Sequence, residues 1–303
     1  MFIDKNLDVS QRRNIVKPTS DIFARYLLTR SRHEHLTKSF INAVLIDSGR
    51  PPVSRIIIRS PFNLAESMNA KESVMDVEAV DSDGRTFDIE IQNSVPKSFF
   101  LRLSYYQAKM FSSQLKESEL YSRLKPCVSI ALLEENLYSD IIKPHHFSAL
   151  VDKEERSRPF MCPENISEYH ILELSRFEIN AGAEYTVDSA GRKRALHPEL
   201  FKWLRFFKDG ARSNFMNYYN ETDTAIKQSK EAYEKFIEED RLWIAQLHRE
   251  MALHDEAQRL YDSRMDGKQQ GFLETAKAMK KNGAAKDFIA KCTGLTLEQI
   301  ESL

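Results

Sequence analysis

Five polar residues alternate along one short stretch, SVMDVEAVDSDGRTFDIEIQ at residues 73–92: Asp76, Glu78, Asp88, Glu90 and Gln92. Carboxylate oxygens carried on neighbouring strands are what a hard divalent cation such as Mg²⁺ takes as ligands. Glu90 and Gln92 stand two residues apart, so on a strand a carboxylate and an amide project to the same side. Like charges facing each other across a sheet destabilise it unless solvent or a cation screens them. Two explanations therefore stand: a solvated outer sheet face, or a metal site.

Either one requires a hairpin. Met75, Val77 and Ala79 alternate with Val74, Asp76, Glu78 and Val80, and Phe87, Ile89 and Ile91 alternate with Thr86, Asp88, Glu90 and Gln92. Between the runs, Ser82-Asp83-Gly84 suits a three-residue loop, a type I turn with Gly in the left-handed conformation. This loop pairs Asp81 with Arg85 and places Asp76 across from Glu90. A slip of one residue would mix apolar with acidic positions, which a half-buried sheet resists. The expectation is an acidic, open face on a sheet packed on one side only, with Gln92 on the open face.

The segments on either side must position that hairpin. Thr19 or Ser20 caps a helix opening at Asp21, with Ile22, Phe23, Tyr26 and Leu27 at helical spacing. Asp21 by itself reads as a first-turn acid favoured by the helix dipole. A second helix over Leu36–Leu45 ends before Arg50-Pro51-Pro52. Val53–Arg59 reads as a strand, and His33 and His35 as surface residues. After the hairpin, a helix over about Ser98–Glu119 carries Phe99, Leu103, Tyr106 and Met110 on its apolar stripe, and Arg102, Tyr105 and Lys109 on another. That second stripe is either a solvated basic face or a grip on phosphate, for which Arg offers a bidentate fork. Lys125–Leu133 has the composition of a strand buried on both faces. Phe147–Val151 and Tyr169–Leu174 read as further strands, with His145 and His146 in a loop, and Gly191-Arg192-Lys193-Arg194 as a basic loop.

At these residues the chain resembles a known family. Asp76, then Glu90-Ile91-Gln92 ending the next strand, is similar to the PD-(D/E)XK nuclease signature with Gln in the Lys place. With RLSYYQAKMFSSQL following, the text from Lys17 onward resembles the PD-(D/E)XK family transposases, or recombination-promoting nucleases. The resemblance implies an α/β core, a mixed sheet flanked by helices like that of restriction endonucleases, and metal-dependent endonuclease cleavage of DNA in recombination or transposition. It implies Asp76, Glu90 and the main-chain carbonyl of Ile91 as ligands of Mg²⁺ or Mn²⁺, with Asp21 joining them. It also implies Gln92 as the residue orienting water, and Arg102, Tyr105 and Tyr106 at the DNA phosphates; Lys109 joins them because it shares the helical stripe of Arg102 and Tyr105. The alternative is an inactive nuclease fold kept for DNA binding or assembly, and Gln92 keeps that alternative open.

The whole chain sets outer limits. Its 303 residues carry a formal net charge of -1, so any DNA contact rests on local patches rather than on a global basic field. Three widely spaced cysteines, Cys127, Cys162 and Cys292, suggest neither a disulfide framework nor a zinc site and fit a reducing cytoplasm. No membrane span and no signal peptide are expected. The expected organisation is a polar leader at 1–16, a nuclease-like domain at 17–180, a helical region at 181–265 and a short tail at 266–303 resembling a helix-turn-helix. Thr222–Met265 lacks Pro and Gly and reads as one long helix or two, able to pack on the core or to pair with a second copy. Gly267 and Gly271 are expected to punctuate it.

Overall fold

Gly84 adopts φ +86°, the left-handed conformation the hairpin loop demands, and its N–H donates to Asp81 O at 3.2 Å. The Asp81 carboxylate ties the turn by accepting from the N–H groups of Asp83 and Arg85 and from the Arg85 guanidinium at 2.6 Å. The structure, a computed structural model, describes residues 7–59, 77–137, 144–151, 166–176, 185–187, 193–210 and 223–303. Among these the hairpin consists of β2 (Val77–Asp81) and β3 (Thr86–Gln92), paired Val77 to Ile89, Glu78 to Asp88 and Val80 to Thr86. This is the register read from the sequence; Asp76 lies outside the described residues.

The sheet has six strands. β1 (Ile56–Ile58) pairs antiparallel with β2, and β3 runs parallel to β4 (Cys127–Leu133). Next comes β6 (Ser167–Glu173), parallel to β4, and at the edge β5 (His145–Ala149), antiparallel to β6, giving the order β1-β2-β3-β4-β6-β5. Every residue of β4 is buried, as its unbroken apolar run predicts. His145 and His146 lie on β5 rather than in a loop. A separate ribbon joins β7 (Tyr185–Val187) to β8 (Lys193–Ala195); Gly191 and Arg192 of the expected basic loop are outside the described residues.

Helices cover both faces. Residues 9–15, expected as leader, form α1 (Val9–Ile15) behind a capping box of Asp8 and Gln11. α2 (Asp21–Thr29) and α3 (Glu34–Asp47) follow, both N-terminal to the sheet. Asp47, at the end of α3, bonds His145 Nδ1 at 2.6 Å. His145 shares a sheet face with its ladder neighbours Leu172, Leu132 and Ile91, so α3 covers the apolar face of the hairpin. α5 (Pro198–Asp209) and α6 (Thr224–Glu238) pack outside α2 and α3 through edge-to-face rings, Phe40 on Trp203 and Phe207, and Phe23 on Tyr233 and Phe236. His33, expected at the surface, is buried beneath this layer, its Nδ1 at 3.1 Å from the carbonyls of Tyr26 and Leu27.

α4 (Phe99–Ser112) covers the opposite, acidic face. Phe99 and Leu103 form a cluster with Ala131, Leu133 and Ile171, and Ala131 and Leu133 are the ladder neighbours of Glu90 and Gln92. The expectation of an open face is therefore corrected: Asp88, Glu90 and Gln92 are 6%, 1% and 8% exposed. α4 also ends two turns earlier than expected. Gln114 turns the chain back by donating to Lys125 O at 3.0 Å and accepting from Lys125 N–H at 2.8 Å.

Residues 1–246 form one compact unit and 247–303 another. Glu239 separates α6 from α7 (Asp240–Lys281), a single helix that continues through Gly267 and Gly271. Within the second unit, α8 (Lys286–Thr293) ends at Gly294 in the left-handed region, φ +71°. α9 (Leu297–Glu301) then begins behind a Thr296–Gln299 capping box, and Ala276, Ile289, Leu295 and Ile300 make a small core. No helix among the described residues is long and apolar enough to cross a membrane.

Candidate active site

β3 ends in Glu90-Ile91-Gln92, and α4 crosses over the face on which Glu90 and Gln92 stand. The position of α4 is fixed by a residue that sequence reading missed. Gln107 is buried, donates to Glu168 O at 2.9 Å and Cys127 O at 3.3 Å, and accepts from the Ser167 hydroxyl at 2.5 Å. It occupies the stripe Phe99, Leu103, Gln107, so the helix is bolted to β4 and β6 by a side chain that satisfies main-chain acceptors. An amide interrupting an apolar stripe was the signal available in the sequence.

With α4 held there, Arg102 reaches the site. Its Nη2 lies 3.7 Å from Glu90 Oε2, within Coulombic range and beyond hydrogen-bond length. The Glu90 side chain is buried; that of Arg102 remains 31% exposed, although its Nε and Nη2 are themselves buried. Tyr105 is exposed; Tyr106 is half-buried, with its ring centroid 5.8 Å from that of Tyr105; Lys109 is exposed in the last turn. The structure thus brings Arg102 to Glu90, sets Gln92 two residues along the same strand, and puts Tyr105 and Lys109 on the outward side of the same helix. Asp21 is buried in the first turn of α2.

A second polar group adjoins the same strand end. Glu134 directly follows β4, and its N–H donates to Gln92 O at 3.0 Å. Its carboxylate accepts from the Thr19 hydroxyl and pairs with Lys17 at 3.0 Å. These residues, with Arg13, Ser175 and Lys208, line a cleft of about 350 Å³. Across the sheet, a buried polar chain runs Asp47–His145–His170, with His145 Nε2 and His170 Nδ1 3.0 Å apart and Glu168 held by Arg50 at 2.6 Å. Burial pushes the His170 imidazole down to about 4, and it does the same to His33. Near the β3 start, burial raises the Cys127 thiol to about 11, aided by the negative charge of Glu78 and Asp88.

Among the described residues, no group of three or more His, Cys, Asp and Glu side chains is arranged to hold a metal ion. Of the carboxylates expected as ligands, Glu90 and Asp21 are described and Asp76 is not. The donors expected are all oxygens, from Glu90, Asp76 and a main-chain carbonyl, a set whose chemistry fits Mg²⁺ or Mn²⁺ rather than a soft metal.

No curated protein sequence and no solved structure matches the chain. One family model, described as PD-(D/E)XK nuclease family transposase, matches residues 18–263, which takes in the hairpin, α4, the whole six-stranded sheet and most of the helical layer. A mixed sheet flanked by helices, with Glu-Ile-Gln closing a central strand, is the arrangement that resemblance implied, and the chain belongs to the PD-(D/E)XK nuclease family transposases.

Proposed function

We propose that the protein is a metal-dependent DNA endonuclease acting in recombination or transposition. The observation that carries this reading is Glu90, a buried carboxylate on a central strand with Nη2 of the partly exposed Arg102 side chain 3.7 Å away. A buried carboxylate beside a partly exposed Arg side chain suits a site where cation and phosphate meet. Glu90, Asp76 and the Ile91 carbonyl are the proposed ligands of Mg²⁺ or Mn²⁺, and Asp21 joins them. The register that pairs Val77 with Ile89 is the one this reading needs for Asp76 to face Glu90. A bound cation supplies a water of lowered pKa and charge stabilisation on the phosphate and leaving oxygen.

The chain's own residues do the rest. Gln92 orients the attacking water, because an amide can accept and donate hydrogen bonds. Arg102 grips the scissile phosphate through two parallel donors, and Lys109, Tyr105 and Tyr106 contact neighbouring phosphates. Water attacks phosphorus, one P–O bond breaks, and the leaving oxygen takes up a proton. The C-terminal helices pair with a second copy. The test is incubation of the purified protein with supercoiled plasmid, with and without Mg²⁺ or Mn²⁺. Conversion to nicked or linear DNA only with metal is expected. DNA binding without cutting at any metal concentration would favour the rival reading, a nuclease fold kept for binding, which Gln92 in the Lys place supports.

A further inference from the structure

The outward face of α4 carries large apolar side chains as well as cations. Leu101 is 77% exposed, Tyr105 64% and Phe100 42%. Leu101 and Tyr105 are four residues apart, one above the other on the helix surface, with Phe100 beside them. A helix that covers a sheet ordinarily turns polar residues outward, and adjacent exposed apolar residues mark a contact surface. The charge around them indicates what makes that contact. Residues 93–116 carry Lys97, Arg102, Lys109 and Lys116 and not one Asp or Glu, in a chain that as a whole has 45 acidic against 44 basic residues. The surface therefore suits a polyanion that also offers flat apolar faces. It is continuous with the candidate site, since Arg102 belongs to the same helix and reaches Glu90.

Resting on the nuclease reading above, we propose that this face takes bases as well as phosphates. Leu101 and the ring of Tyr105, with Phe100, stack on or insert beside unstacked bases, while the Tyr105 hydroxyl stays on the phosphate side. The substrate is then DNA with unpaired or distorted nucleotides next to the cut, rather than regular duplex. Lys97 and Lys109 hold the backbone on either side. Regular B-form DNA shows a helix only groove edges and phosphates, and gives an exposed Leu and Tyr little to stack on. Unpaired bases offer their π-faces to an aromatic ring.

The experiment is fluorescence anisotropy with the full chain in EDTA, where no cutting confuses binding. It compares a paired duplex with the same duplex carrying a short unpaired bubble. The wild type is expected to bind the bubble about tenfold or more tightly, the value of stacking roughly one base. Tyr105→Ala and Leu101→Ala should remove the preference, Tyr105→Trp should keep it, and Lys109→Ala should weaken both DNAs alike. Equal affinity of the wild type for the two DNAs, or equal losses on both for Leu101→Ala, would overturn the proposal. So would light scattering that shows a dimer dissolved by Leu101→Ala in a protein with no bubble preference. A protein that cuts paired plasmid yet ignores the bubble defeats this inference alone, whereas one that binds no DNA defeats it together with the nuclease reading.

Discussion

At the scale of single residues, Gln92 is where this chain departs from the general signature. In the proposed mechanism a Lys there would add a fixed positive charge beside the attacking water; the amide adds none, which would leave charge stabilisation to the cation and Arg102. Gln92→Ala should fold normally and cut about tenfold more slowly, the loss of roughly one catalytic hydrogen bond. Single-turnover rates across a Mg²⁺ series would show this, and wild-type rates throughout would remove Gln92 from the chemistry. Gln92→Lys should keep or raise the rate. Because Gln92 is 8% exposed, it should also lower thermal stability, since the ammonium must leave a covered face to reach water.

At the scale of elements, what matters is how helix and sheet are fastened. Gln107 fastens α4 to two strands, so Gln107→Leu should cost about 1–3 kcal/mol by leaving the Cys127 and Glu168 carbonyls without their side-chain donor. Urea unfolding would read this, and an unchanged midpoint would mean α4 is held by apolar packing alone. The buried histidines give a second expectation. His33 and His170 are pushed down to about 4, chiefly by burial, from an ordinary value of 6.5. Their contribution is present above pH 6.5 and is lost as pH falls toward 4, because the unfolded chain takes up protons that the folded chain does not. The loss is on the order of 3 kcal/mol for His170 at its full extent and smaller for His33, whose ring is less deeply enclosed, and urea midpoints at neutral pH and near pH 4.5 should differ accordingly. Equal midpoints would contradict the burial of these rings. The hairpin register was legible because Asp83-Gly84 fixes the loop and a two-residue period leaves no freedom beyond it. The cover over its acidic face was not legible. The apolar stripe of α4 tells which side of the helix is buried, but not which side of the sheet it buries against. His145 was misplaced because its partner, Asp47, is distant in sequence, and His33 because the turn after α2 folds its ring back against the carbonyls of Tyr26 and Leu27.

At the scale of the molecule, the two compact units divide at residues 246 and 247, inside α7. Leu247 and Arg249 are buried, whereas Met251, Leu260, Tyr261 and Met265 are exposed. A chain ending after Glu250 should therefore stay folded and keep cutting while losing self-association, as light scattering and plasmid assays would record. A truncated protein with unchanged mass in solution would show that the tail does not assemble copies. If the end of β3 is a metal-dependent cutting site, this is read out most directly by supercoiled-plasmid cleavage by the wild type and Glu90→Gln, with Mg²⁺ and with EDTA. Glu90→Gln keeps the shape of the side chain and removes its charge. Cleavage by the wild type with Mg²⁺ only, and none by a Glu90→Gln protein whose circular dichroism matches wild type, is the predicted result. A folded Glu90→Gln protein that cuts at the wild-type rate would contradict it.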